Sequence, residues 1–274
     1  MDLSFMISCK SFVVSKSMSK HGIIKTPEEI AILREGGKIL ARVLDKVKNA
    51  VAPGVTTLYL NNLAEKLVRE EGAIPSFLNY TPEGAHKPYP RTLCVSVNNE
   101  VVHGIPGEQV LLAGDIVGLD LGLDYRGLFV DMAITVPVGK VDDSAKRLLY
   151  ATKEALFAGI KIARAGNTLG DIGHAIEVQV KKYGFTVVEE LGGHGVGYSP
   201  HEEPHIANYG EKGKGMKLKA GMVLAIEPIV NEGARFVNIL PDGYTFVTRD
   251  RKRSAQFEHT ILVTNGDAEI LTKG

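Results

Sequence analysis

The stretch DIVGLDLGLDYRGLFVDMAITV, residues 115–136, predicts a β-hairpin. Apolar residues recur along both halves of the stretch, and the turn-forming residues Asp124-Tyr125-Arg126-Gly127 separate the two halves. If Tyr125 and Arg126 form the centre of the turn, Asp120 lies directly opposite Asp131. Directly opposed residues have Cβ atoms about 4.5–5.5 Å apart, so we expect both carboxylates to project from one face of the hairpin.

The paired aspartates need an explanation because the other face of the hairpin is apolar. That face carries residues suited to a buried core, namely Leu119, Leu121, Val130, Met132 and Ile134. Two facing carboxylates above a buried sheet repel each other unless one is protonated or a cation lies between them. A solvent-facing hairpin with hydrated aspartates is the alternative, and the pair alone does not decide between these two interpretations.

Two glutamates favour a cation site over hydrated surface aspartates, because each glutamate interrupts a hydrophobic run. Glu227 is the only charged residue in residues 222–230, and Glu258 directly precedes the run in residues 259–263. Carboxylates are seldom buried unless they are paired, protonated or bound to a cation. Either glutamate alone is compatible with an outward-facing strand residue. Together with the aspartates, they indicate a cation site with largely oxygen ligands.

Three histidines lie in notable surroundings. His194 is flanked by glycines in LGGHGVG, where the backbone can approach a ligand closely, although a flexible loop with an incidental histidine is the alternative. His103 lies in VVHGIPG, and His201 lies in PHEEPH. Four carboxylates and one imidazole can bridge two divalent ions, and such an oxygen-rich set suits Mn, Fe(II) or Co. Zinc-finger, P-loop, dinucleotide-binding and GxSxG patterns are absent from the sequence.

The rest of the chain predicts two helix pairs, each followed by strands. The helices are predicted to run from Thr26 to Pro53, from Thr56 or Thr57 to Gly72, from Asp142 to about Arg164, and from Thr168 to Lys182. Further strands are predicted over residues 92–97, 222–230, 243–247 and 256–263. This grouping favours an α+β fold over a doubly wound parallel sheet. We expect residues 1–21 to form a poorly ordered N-terminal extension and residues 22–274 to form a single catalytic domain.

Composition excludes several classes of protein. The formal net charge is zero, so no overall field favours nucleic acid or an anionic membrane. No apolar stretch approaches the roughly 18 residues of a membrane span, and the first twenty residues lack the features of a signal peptide. The two cysteines, Cys9 and Cys94, cannot form a disulfide framework, which indicates a reducing, cytoplasmic environment.

Six motifs, taken in order, resemble those of the type I methionine aminopeptidases. They are VVHGIP at 101–106, the aspartates at 120 and 131, GHG at 193–195, HEEP at 201–204, IEP at 226–228 and SAQFEHT at 254–260. The resemblance covers roughly residues 22–273, and the combination is far more specific than any motif alone. It implies a pita-bread fold, in which two pseudo-symmetric halves surround a central antiparallel sheet with helices outside.

The resemblance also implies roles for individual residues. The implied metal ligands are Asp120, Asp131, His194, Glu227 and Glu258, with Asp131 bridging two divalent ions. Glu227 would also transfer the proton of the attacking water. His103 and His201 match the two histidines of the family that contact the substrate and help to stabilise the tetrahedral intermediate.

The activity implied by the resemblance is removal of the initiator methionine from nascent polypeptides whose second residue is small. A metal-activated water would attack the first peptide bond, with two ions per chain drawn from Co, Mn, Fe(II), Ni or Zn. We further expect a cytoplasmic monomer that makes a transient contact with the ribosome and has no specific nucleic-acid or membrane partner.

The methionine pocket is where this chain departs from the family pattern. Tyr89, Cys94 and Tyr244 are expected to form its wall. Many relatives have an aromatic residue where this chain has Pro200, and many have Trp at the position of Tyr244. The Pro-rich loop over residues 81–90 is also longer than usual. These differences put the strictness of the methionine preference in question and leave the metal ligands unchanged.

Three other functions compete with this interpretation. A proline-directed peptidase or a creatinase-like hydrolase would share the fold, but these relatives usually carry an additional N-terminal domain. A non-catalytic binding module would have lost ligands, whereas all five candidates are present. A dinuclear phosphoesterase would need a phosphate-cradling loop, which the sequence lacks.

Overall fold

A computed structural model describes residues 23–82 and 84–274 of the chain. The N-terminal extension predicted over residues 1–21, with Cys9, lies outside the described residues. Within them, no helix combines the length and the apolar character that crossing a membrane requires.

Helices and strands follow one another in two similar series. The helices are α1 (Pro27–Asn49), α2 (Thr57–Glu70), α3 (Asp143–Ile162) and α4 (Leu169–Lys181). The strands between α2 and α3 are β1 (Ile74–Pro75), β2 (Leu93–Val97), β3 (Glu100–Val102), β4 (Ile116–Tyr125) and β5 (Leu128–Pro137). The strands after α4 are β6 (Thr186–Val187), β7 (Gly192–Gly195), β8 (Glu202–Ala207), β9 (Val223–Ile226), β10 (Ile229–Asn231), β11 (Val237–Ile239), β12 (Phe246–Thr248), β13 (Ser254–Gln256), β14 (His259–Leu262) and β15 (Glu269–Ile270).

The four predicted helix starts are confirmed, because each helix has the expected N-cap. Thr26, Thr56, Asp142 and Thr168 each accept a hydrogen bond from the backbone N–H three residues later. Thr26 forms a full capping box, since the Glu29 carboxylate also accepts the Thr26 N–H at 2.7 Å. Such a cap stabilises a helix by about 1 kcal/mol.

Each helix pair covers sheet strands of its own half of the molecule. α1 and α2 pack on β2, β4 and β5, and the core between them contains leucines at positions 40, 60, 119 and 121. α3 and α4 pack on strands that follow α4, around a second core with Leu148, Ile172 and Ile226. All strand pairs in the described chain are antiparallel, which agrees with the predicted α+β class.

The hairpin formed by β4 and β5 is confirmed, but its predicted register is wrong. Asp120 pairs with Ala133 and Gly122 pairs with Asp131, so the two aspartates are diagonal neighbours rather than directly opposed residues. The cause is the turn, whose central residues are Arg126 and Gly127, with φ angles of 56° and 84°. Two consecutive positive φ angles are typical of a type I′ hairpin turn. The change of register by two residues leaves both carboxylates on the same face.

Two of the predicted strands are each broken in the middle, and this corrects the prediction that Glu227 and Glu258 lie within strands. The strand predicted over residues 222–230 divides into β9 and β10, and Glu227 lies between them. The strand predicted over residues 256–263 divides into β13 and β14, and Glu258 lies between these. β9 pairs with β14, whereas β10 pairs with β13 in a different sheet. Each glutamate therefore lies where the chain passes from one sheet to another.

Candidate metal centre

The hairpin of the first half meets the second half at a seam of backbone contacts. Asp131 donates its N–H to Thr260 Oγ1 at 2.9 Å, and the same hydroxyl donates to the Asp131 carbonyl at 2.7 Å. Four residues further along the seam, Thr135 Oγ1 donates to the Gln256 carbonyl at 2.7 Å. Glu258 N–H donates to the Ala133 carbonyl at 2.8 Å. These contacts hold the aspartates of β4 and β5 against the two glutamates.

The five predicted ligands converge at this seam. They are all buried, namely Asp120 (7% exposed), Asp131 (4%), His194 (5%), Glu227 (9%) and Glu258 (2%). In each of three overlapping groups, one ligand atom per residue lies within 4.8 Å of the others. The groups are Asp131-His194-His201, His194-Glu227-Glu258 and Asp120-Asp131-Glu258. The groups share members, and each of them could hold a metal ion.

The carboxylates of this cluster cannot all be ionised without a compensating positive charge. Burial raises the pKa of Asp131 to about 7. Burial, together with the charge of Asp131, also raises the pKa values of Asp120, Glu227 and Glu258 well above their ordinary range. Like charges in a shared low-dielectric site disfavour the ionised form.

The cluster also leaves buried oxygen atoms available for a cation. No donor from the described part of the chain reaches the buried Oδ1 of Asp120 or Oε1 of Glu258. Buried polar atoms without a partner are uncommon in native proteins and call for an explanation. Hard divalent cations prefer carboxylate oxygens, so the donor set fits such ions.

His194 is oriented as a ligand by its own backbone. Its Nδ1 lies 2.9 Å from the Gly195 carbonyl oxygen, which can only accept, so Nδ1 carries the proton. The lone pair of Nε2 is therefore available, and Nε2 lies 3.6 Å from Glu227 Oε1 and 3.9 Å from Glu258 Oε1. Burial lowers the pKa of His194 to about 4, so the ring is neutral near pH 7, as a ligand must be.

His103 and His201 lie beside the carboxylate cluster. The rings of His201 and His194 meet edge to face, with centroids 4.6 Å apart, and Tyr80 Oη lies 3.3 Å from His201 Nδ1. The His103 ring packs edge to face on Phe246, with centroids 5.8 Å apart. Burial lowers the pKa of His103 to about 4 and that of His201 well below its ordinary value. Both rings are therefore neutral near pH 7.

An apolar pocket adjoins the carboxylates within one cavity of about 200 Å³. The three predicted wall residues, Tyr89, Cys94 and Tyr244, cluster there with Phe77. The rings of Tyr89 and Tyr244 meet edge to face at a centroid distance of 5.1 Å. Tyr244 also donates its hydroxyl to the Lys87 carbonyl, which joins the pocket to the Pro-rich loop. The pocket is thus closed on one side by that loop.

Sequence reasoning missed several residues that support the site. Gln256 Nε2 donates to Glu227 Oε2 at 3.0 Å, and Thr260 holds the backbone of Asp131. Phe77 and Tyr80 also line the cavity, from the segment between β1 and β2. Gln256 and Thr260 lie inside the SAQFEHT motif, so their position beside Glu258 is the one signal that could have pointed to them.

Comparison with known proteins identifies the family. A model of metallopeptidase family M24 matches residues 31–265. The methionine aminopeptidase 1 of Bacillus subtilis is 46% identical over 251 residues, covering 92% of this chain and 99% of the relative. The chain belongs to the M24 metallopeptidases and, among them, to the methionine aminopeptidases. The predicted resemblance is thereby confirmed.

Solved structures place this M24 metallopeptidase in the same fold. The methionine aminopeptidase of Thermotoga maritima superposes with a TM-score of 0.88 at 44% identity, covering 92% of this chain and 99% of that one. A prolidase from Pyrococcus furiosus superposes with a TM-score of 0.72 at 25% identity, covering 92% of this chain but 66% of that one. The predicted pita-bread fold is confirmed by both likenesses.

Proposed function

We propose that this M24 metallopeptidase removes the N-terminal methionine from polypeptides whose second residue is small. The observation that carries the proposal is the position of the apolar pocket, which shares one cavity with the carboxylate cluster and with His103 and His201. The relatives named methionine aminopeptidase support the substrate, because they match this chain over nearly their whole length.

The five clustered side chains are proposed to hold two divalent ions per chain. The residues that would hold them are Asp120, Asp131, His194, Glu227 and Glu258, which all belong to the three groups, and the family resemblance assigns Asp131 to both ions. The family implies divalent metal, and Co, Mn, Fe(II), Ni and Zn are the candidates. When bound, such ions acidify a water molecule and polarise the carbonyl that it attacks.

The protein's own groups would then handle the proton and the developing charge. Glu227 is proposed as the general base, as the family resemblance implies, and Gln256 Nε2 orients its Oε2. His103 and His201 are proposed to contact the substrate, with His201 donating a hydrogen bond to the oxyanion. A neutral imidazole has one N–H to donate, and both rings are neutral near pH 7.

The methionine side chain is proposed to occupy the pocket formed by Phe77, Tyr89, Cys94 and Tyr244. A thioether makes favourable contacts with aromatic rings, and the pocket supplies three of them. A hydrophobic pocket distinguishes side chains that differ by one methylene by only about 1–3 kcal/mol. With Pro200 and Tyr244 in place of bulkier aromatic residues, we expect norleucine at the first position to be accepted as well.

The cellular setting is also proposed. We infer a cytoplasmic monomer in which residues 22–274 form a single catalytic domain, preceded by an N-terminal extension over residues 1–21. The proposed substrate is the N-terminus of a nascent chain. Because such N-termini emerge from the ribosome, we propose a transient contact with the ribosome.

A peptide assay tests the proposal. The protein, loaded separately with Mn or Co, is incubated with Met-Gly-Met, with an Xaa-Pro dipeptide and with creatine. Release of methionine from Met-Gly-Met alone is expected. Cleavage of the Xaa-Pro dipeptide alone would contradict the methionine assignment, and inertness with every metal would favour a binding module.

An Asp131→Asn variant tests the metal site in the same assay. It should lower both the metal content and the rate of methionine release. A matched control is Asp124→Asn, which changes an aspartate of the same hairpin that instead accepts the Gly127 N–H in the turn. Unchanged metal content in Asp131→Asn would remove this residue from the proposed ligand set.

A further inference from the structure

A buried lysine lies beneath the loop that carries His201. The loop comprises residues 196–201 and connects β7 with β8. Lys25 is 3% exposed, and its Nζ is 2.8 Å from Oε2 of Glu202 and 3.7 Å from the centroid of the Tyr198 ring. Lysine is almost never fully buried unless it is paired, so the pair with Glu202 accounts for the position of this ammonium group.

Glu202, at the C-terminal end of this loop, binds the middle of the loop. Its Oε1 accepts the backbone N–H groups of Tyr198 and Ser199, the latter at 2.9 Å. Its Oε2 is the atom that pairs with Lys25. One carboxylate therefore bends the loop back on itself, and the buried ammonium compensates the charge of that carboxylate. Glu202 directly follows His201, so the same contacts limit movement of the histidine backbone.

The loop is also shaped around the lysine side chain. Gly197 has a φ of 140°, and a Cβ atom at this position would lie 2.4 Å from Cε of Lys25. No larger residue fits there while Lys25 is in place. On the other side of the loop, the Phe129 N–H donates to the Gly197 carbonyl at 2.8 Å. The loop thus lies between the hairpin strand β5 and the segment that leads into α1.

We propose that Lys25 and Glu202 are positioning residues that hold the His201 imidazole in place for the substrate carbonyl. The inference rests on the proposed function, in which His201 donates a hydrogen bond to the oxyanion. Such a donor must point to where charge develops, and a misplacement of about 1 Å can reduce a rate by roughly 10²-fold. Lys25 is 176 positions away from His201 in sequence and contacts none of the proposed metal ligands, so its effect on the reaction would be transmitted by the loop that carries His201.

A double-mutant cycle tests whether Lys25 acts through His201. Lys25→Met, measured in the metal-loaded enzyme with Met-Gly-Met, should lower kcat between about tenfold and 10²-fold with little change in KM. In the His201→Ala background, the same substitution should change kcat by less than about twofold. Equal losses in both backgrounds, or no loss in the first, would refute the positioning role.

The cycle includes a control and a second variant. Arg34→Gln removes a different long-range ion pair, between α1 and Glu269 at 2.7 and 2.8 Å, and should leave kcat unchanged. Glu202→Gln keeps the side-chain volume and removes only the charge, so it repeats the cycle independently if Lys25→Met does not fold. Loss of kcat in Arg34→Gln as large as in Lys25→Met would attribute the effect to general destabilisation.

Amide hydrogen exchange tests the loop without relying on activity. In Lys25→Met, peptides covering residues 196–202 should lose protection, because the N–H groups of Tyr198 and Ser199 lose a fixed acceptor. Peptides from the second half of α1 should be unaffected. Unchanged protection of the loop would overturn the inference. If the wild-type protein releases no methionine, the proposed function fails, while the exchange data still decide whether Lys25 holds the loop.

Discussion

The charge of Asp131 should make the metal-free protein less stable as the pH rises. Burial raises the pKa of Asp131 from 3.8 to about 7. Between about pH 4 and pH 7 the folded state therefore keeps a proton that the unfolded state has released. The contribution of Asp131 to stability is therefore most favourable below this range, falls through it and levels off above about pH 7.

The magnitude follows from the difference between the two pKa values. One pKa unit corresponds to about 1.4 kcal/mol, so Asp131 alone costs about 4 kcal/mol when fully ionised. More than half of this change falls between pH 5 and pH 8. The neighbouring carboxylates act in the same direction, because burial raises their pKa values too. The Asp131→Asn variant should lose the part of the pH dependence of stability that Asp131 contributes.

Urea denaturation in the presence of a chelator measures this effect. The free energy of unfolding of the wild-type protein and of Asp131→Asn is determined at pH 5 and pH 8 by circular dichroism. At pH 8 the metal-free variant should be the more stable protein. The reasoning would be refuted if the free energy of unfolding of the wild type stayed constant or increased from pH 5 to pH 8. It would also be refuted if this free energy changed equally with pH in both proteins. Added Mn should reverse the order at pH 8, since the wild type gains binding energy that the variant lacks.

Three further predictions concern single side chains around the site. Glu227→Gln should lower kcat by about 10²- to 10⁴-fold, as loss of a general base does, and a metal analysis of the same sample separates this from ligand loss. Tyr80→Phe removes the hydroxyl 3.3 Å from His201 Nδ1 and should lower kcat by about two- to tenfold at constant KM, whereas a rise in KM alone would place Tyr80 in binding only. Thr260→Val leaves the buried N–H and carbonyl of Asp131 without partners and should lower the free energy of unfolding by about 2 kcal/mol in urea melts. The exposed turn variant Thr264→Val is its control, and an equal loss in both would contradict a special role of the seam.

Local chemistry made part of the fold predictable. The helix starts at Thr26 and Thr168 were predictable because an N-cap side-chain oxygen accepts a backbone N–H three positions later, which is a purely local interaction. The face of the hairpin was predictable for a similar reason, since side chains alternate with a period of two along a strand. The register of the hairpin was not predictable, because it depends on whether the two central residues of the turn are Tyr125 and Arg126 or Arg126 and Gly127. The fold itself was predicted from the motif resemblance rather than from these local signals.

Sequence alone determined the identity of the candidate ligands, because charged residues inside apolar runs stand out without any knowledge of the fold. It could not determine their arrangement. Glu227 and Glu258 lie at crossings between sheets rather than within strands, and such crossings exist only once the sheets have paired. The ion pair between Lys25 and Glu202 likewise joins residues that no local pattern relates. Tertiary structure decides these features because burial, which makes the carboxylates and the lysine depend on their partners, is a property of the whole folded chain.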